Sequence, residues 1–101
     1  MKITKQNLNN FNVNIIKETN GNKVIHLTIE LKNEKIKYRI PRDKRHKHET
    51  VKDMAKKIND FFSDIQNGNS KSLKIDEYLE RSYITIYAEN NSPQYTAQKI
   101  I

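Results

Sequence analysis

Apolar and polar side chains alternate in twos in segments between Phe11 and Ile40, and the spacing then changes to threes and fours after residue 50. Phe11, Val13 and Ile15 are separated by Asn12 and Asn14, the repeat of a strand with one buried face. Thr19-Asn20-Gly21-Asn22 supplies residues that tolerate positive φ, so a hairpin into a second strand is predicted. That strand, Lys23 to Lys32, sets Ile25, Leu27, Ile29 and Leu31 against His26, Thr28, Glu30 and Lys32. A tight reversal at Asn33-Glu34 leads into a third, in which Ile36, Tyr38 and Ile40 alternate with Lys35, Lys37 and Arg39. Pro41 ends it, having no N–H to give to a ladder.

Thr50 and Asp53 have the spacing of a capping box, with Asp in the place of the usual Glu or Gln. Behind them Val51, Met54, Ala55, Ile58, Phe61, Phe62 and Ile65 form one apolar helical stripe, and Asn67-Gly68 supplies a left-handed stop. Leu73 to Arg81 is read as a short helix with Ile75, Tyr78 and Leu79 inward. Ile84, Ile86 and Ala88 then alternate with Tyr83, Thr85 and Tyr87 as a last strand. The expectation is an α+β fold: a small antiparallel sheet of three to four strands, in β-β-β-α-β order, packed on one main amphipathic helix. Residues 1–10 are expected to be a polar lead-in, 11–89 a single domain, and 90–101 a C-terminal tail that frays or orders on contact.

A chain of 101 residues with 35% hydrophobic side chains supports one modest core. The absence of cysteine removes disulfides, thiolate metal sites and cysteine nucleophiles. No leader-like apolar segment and no run near the ~18 apolar residues of a membrane span is present, so a soluble, cytoplasmic protein is expected.

Charge changes the picture more than composition does. Residues 32–48 hold eight Lys and Arg against two acids, so +6 of the formal +7 lies in one stretch. Asn, Lys and Ile supply 42 of 101 residues, which AT-rich codons alone favour, but the arginines are placed more selectively. Arg39, Arg42 and Arg45 recur at every third position, and guanidinium forks suit phosphate.

The candidate polyanion-binding residues are therefore Lys35, Lys37 and Arg39 on the third strand and Arg42, Lys44, Arg45, His46, Lys47 and His48 in the loop. Tyr83 and Tyr87 are added as stacking partners for bases. His46 and His48 lie beside Asp43 and Glu49, but the surrounding cations oppose a metal ion and no further ligand pair has a recognised spacing, so neither metal nor cofactor is expected. Asp76, Glu77 and Glu80 are read as solvated carboxylates.

These residues suggest a non-enzymatic binder of nucleic acid, RNA favoured, or of a ribonucleoprotein. An alternative is a phage or mobile-element inhibitor that binds a host nuclease, such as a CRISPR effector, by protein contact. A third is a metal-independent ribonuclease toxin using the histidines, tyrosines and arginines. A monomer or a weak homodimer formed through an unpaired sheet edge is expected.

Overall fold

In the computed structural model the described residues are 2–42, 47–68, 73–78, 81–86 and 94–100, with side chains not described for 73–78, 81–86 and 94. The elements are β1 (Lys2–Ile3), β2 (Leu8–Lys17), β3 (Lys23–Leu31), β4 (Lys35–Ile40), α1 (Val51–Gln66), β5 (Leu73–Tyr78), β6 (Arg81–Ile86) and β7 (Gln94–Ile100). The fold is α+β, with an antiparallel sheet packed on one amphipathic helix.

The first two turns form as the sequence suggests. Glu18 N–H donates to the Asn22 carbonyl at 2.8 Å, and Gly21, at φ 86°, donates back to the Glu18 carbonyl at 2.8 Å. The positive φ at position 21 therefore favours glycine. Leu31 N–H donates to the Glu34 carbonyl, closing the β3–β4 hairpin. The resulting register sets Asn12 opposite Thr28 and Thr28 opposite Lys37, with Asn14, His26 and Arg39 in the neighbouring row.

The inner face holds Ile25, Leu27, Ile29, Ile36, Tyr38 and Ile40, each at most 3% exposed. Met54, Ile58, Phe61, Phe62 and Ile65 of α1 pack on them, and Phe62 stacks on Phe11 at 5.3 Å. Removing each such side chain from water contributes about 1.5–3 kcal/mol, which makes this layer the principal source of stability. The helix starts at a complete capping box, with Asp53 N–H donating to Thr50 Oγ1 at 3.0 Å and Thr50 N–H donating to the Asp53 carboxylate. Gly68, at φ 79°, follows its end.

The sheet is larger than expected, with seven strands in the order β1-β5-β6-β7-β4-β3-β2. Two three-stranded meanders, β2-β3-β4 and β5-β6-β7, join through their last strands. Gln94–Ala97 pair with Thr85–Ser82 of β6, and Gln98–Ile100 pair with Arg39–Lys37 of β4.

Three expectations change accordingly. Residues 73–78 form a strand instead of a helix, because Leu73 and Ile75 alternate and find apolar partners opposite them in Ile86 and Ile84. Residues 94–100, assigned to a tail, lie within the sheet, with Tyr95 and Ala97 buried in the core. Lys2–Ile3 and Leu8–Asn10, assigned to a lead-in, belong to strands, and Ile3 and Leu8 join the core. Among the described residues no helix is long and apolar enough to cross a membrane.

Candidate nucleic-acid interface

Because side chains alternate across a strand, the residues between the core positions of β2, β3, β4 and β7 all project to the opposite face. There the register builds rows. Asn10, Glu30 and Lys35 form one, Asn12, Thr28, Lys37 and Ile100 the next, and Asn14, His26, Arg39 and Gln98 the third. The three asparagines, both lysines and Gln98 are exposed. Two shallow hollows meet at Thr28, Lys35 and Lys37. One, of about 190 Å³, reaches Asn10, Asn12 and Glu30; the other, of about 470 Å³, reaches Lys99 and Ile100.

The cations of this face are not equivalent. Lys35 lies 3.7 Å from Glu30, with both side chains well exposed, a loose pair that water and salt screen. Lys37 has no carboxylate partner among the described residues. Arg39 differs from both. Its Nε and Nη2 donate to the two oxygens of Glu18 at 2.7 and 2.6 Å, and Nη1 donates to Gln98 Oε1 at 3.2 Å. The two charged side chains are only 29% and 26% exposed. These hydrogen bonds hold the Glu18 carboxyl below the usual glutamate range, helped by the charge of Arg39 and of His26 and opposed by partial burial. The same contacts push the Arg39 guanidinium up. A bidentate fork already filled by an internal carboxylate has little capacity left for phosphate, so Arg39 acts as a brace between the β2–β3 turn, β4 and β7.

Beyond β4 the chain carries a second group of cations. Arg42 is exposed and donates through Nη1 to the Glu49 carbonyl at 3.0 Å, which fixes it beside the turn containing Lys47 and His48. Lys47 and His48 are exposed just before α1. Five residues of extended chain separate Lys37 from Arg42, roughly 16 Å. Lys44, Arg45 and His46 lie outside the described residues, as do Asp43 and Tyr87. The backbone of Tyr83 lies in β6 opposite Thr96. Asp76 and Glu77 are consecutive strand residues, and Glu80 lies outside the described residues.

The structure thus brings Lys35 and Lys37 together, withdraws Arg39 into an ion pair, and adds residues that the charge pattern did not indicate. Asn10, Asn12 and Asn14 carry a signal in the sequence, an amide at every second position, which reads only as the wet side of a strand until the register sets it beside lysines. Gln98 and Ile100 reach the face through a pairing of β7 with β4 that spans some sixty positions of chain, and no local pattern announces it. His26 adds an aromatic ring to this face, in the row of Asn14 and Arg39.

Among the described residues no group of three His, Asp or Glu could hold a metal ion. Comparison of the chain with protein-family models, with curated proteins and with solved structures gives no match.

Proposed function

We propose that this protein is a non-catalytic binder of single-stranded nucleic acid, RNA in preference to DNA, that uses the open face of β2, β3, β4 and β7. The observation that carries the reading is the adjacency of the Asn10, Asn12 and Asn14 column to Lys35 and Lys37 on an exposed sheet surface. Lysine ammonium groups neutralise phosphates, and side-chain amides offer paired donors and acceptors to base edges. An accessible sheet face accommodates splayed single strands, whereas the narrow major groove of an RNA duplex does not admit it. Arg42, Lys47 and His48 extend the positive track past the end of β4.

Fluorescence anisotropy of labelled single-stranded oligonucleotides, RNA and DNA of matched sequence, tests this at low salt. RNA binding should vanish in a Lys35→Glu/Lys37→Glu variant that keeps its circular dichroism and melting temperature. Failure of the wild-type protein to bind either polymer at about 50 mM salt and high micromolar concentration would reject the reading. It would leave an acidic protein groove as the ligand for the same cations.

A further inference from the structure

Strand β2 is one of the two edge strands of the sheet, and among the described residues its outer edge has no partner and few of the devices that keep such edges from pairing. Native edges carry lysines, prolines or bulges against this. From Leu8 to Ile16 the strand has neither a charged residue nor a proline, and its one irregularity lies between Leu8 and Asn10. Ile15 and Ile16, 42% and 38% exposed, are the large exposed hydrophobic side chains among the described residues, and both lie on this edge.

The hydrogen-bond alternation defines which groups face outward. Glu18 and Asn22 are a bonded pair across the β2–β3 turn, so Ile16, Asn14 and Asn12 also turn their backbone groups toward β3. Phe11, Val13, Ile15 and Lys17 turn theirs away. At Phe11 the N–H is already occupied by Asn10 Oδ1 at 2.9 Å. The available outward positions are then Val13, Ile15 and Lys17, a set centred on Ile15.

We infer that the partner of this edge is a second copy of the chain, joined antiparallel about a two-fold axis at Ile15. In that register Ile15 lies opposite itself and Val13 opposite Lys17, which forms six backbone hydrogen bonds. Asn14 lies opposite Ile16. No like charges meet, because the two copies of Lys17 are four strand positions apart, roughly 13 Å. The C-terminal half of helix α1 lies toward the start of β2, where Phe62 packs on Phe11 and Gly68 approaches Lys5, and Ile15 near the other end of the strand is 42% exposed. A single strand pair buries less than the ~1,200 Å² of a standard interface, so the dimer belongs in the micromolar range. The axis is normal to the sheet, and the two asparagine columns come to lie side by side on one surface.

The chain has no cysteine, which gives a clean test. In oxidised glutathione, Ile15→Cys should form a disulfide-linked dimer, whereas Asn12→Cys, whose copies stand six positions apart in this register, should not. In sedimentation equilibrium the wild-type mass should rise from 12.0 kDa toward twice that value as concentration increases through the micromolar range. Ile15→Lys should stay monomeric with an unchanged melting temperature. A wild-type mass that stays monomeric to about 1 mM overturns the inference. So does a dimer that survives Ile15→Lys or cross-links equally through Asn12→Cys.

Discussion

Salt dependence separates the cations that face solvent from the one that braces the fold. Lys35 and Lys37 line one hollow on the open face, while the Arg39 fork is filled by Glu18. If the two lysines each neutralise one phosphate of a single strand, log affinity should fall with log salt at a slope of about −1.4 (each contact contributing about −0.7). Affinity then drops about sevenfold between 50 and 200 mM salt. Lys37→Ala should weaken RNA binding and make the slope shallower by about 0.7, since one counterion fewer is released. Arg39→Gln removes the same formal charge, yet it should leave the slope unchanged, because its charge is already balanced internally. Anisotropy titrations at five or six salt concentrations measure both slopes. Equal loss of slope in the two variants would refute the argument, since it would mean that Arg39 reaches phosphate despite Glu18.

Three further outcomes follow from the packing and the titrating groups. The lowered Glu18 carboxyl contributes stability that is fully present above its unfolded value near about 4.3 and is lost as pH falls through the folded value. Chemical denaturation of wild type and Glu18→Gln from pH 6 down to pH 3 should therefore converge toward acid, and parallel curves would exclude the linkage. Tyr95, 1% exposed, has its hydroxyl pushed up to about 12 by burial first and by the Glu49 charge second. An unfolded chain ionises this group near about 10, so stability should fall by about 2–3 kcal/mol as pH rises from 10 to 12. Tyr95→Phe should remove that alkaline component, and an unchanged alkaline profile would contradict it. Phe62→Ala leaves a void against Phe11 in the core and should lower unfolding free energy by about 3–5 kcal/mol in urea, whereas Thr50→Ala removes only the helix cap and should lower it by about 1 kcal/mol. Equal losses in the two would argue against the packing described for α1.

The meander β2-β3-β4 and α1 were legible because each obeys a single local rule: strict alternation from Phe11 to Ile40, and a stripe of helical spacing opened by Thr50 and Asp53. Residues 73–78 satisfied two rules at once. Leu73, Ile75, Tyr78 and Leu79 fit a helical face nearly as well as Leu73 and Ile75 fit a strand, and the pairing with β6 decides between them. β7 was missed because Tyr95 and Ala97 alone mark its buried face and its other neighbour, β4, is distant in sequence. The site divides in the same way. Lys35 and Lys37 follow from alternation alone, whereas the removal of Arg39 by Glu18, across 21 positions, depends on how the β2–β3 turn folds back.

The position of β7 between the two meanders also sets an order of events during synthesis. A ribosome adding about 5–20 residues per second finishes β2, β3, β4 and α1 seconds before Gln94–Ile100 emerge. Until then β4 has a bare flank beside Lys37 and Arg39 and the nascent sheet lacks Tyr95 and Ala97, so closure awaits residue 100. Nascent chains arrested before residue 94 should thus remain protease-sensitive, and chains extended far enough to expose residue 100 outside the exit tunnel should become resistant in one step.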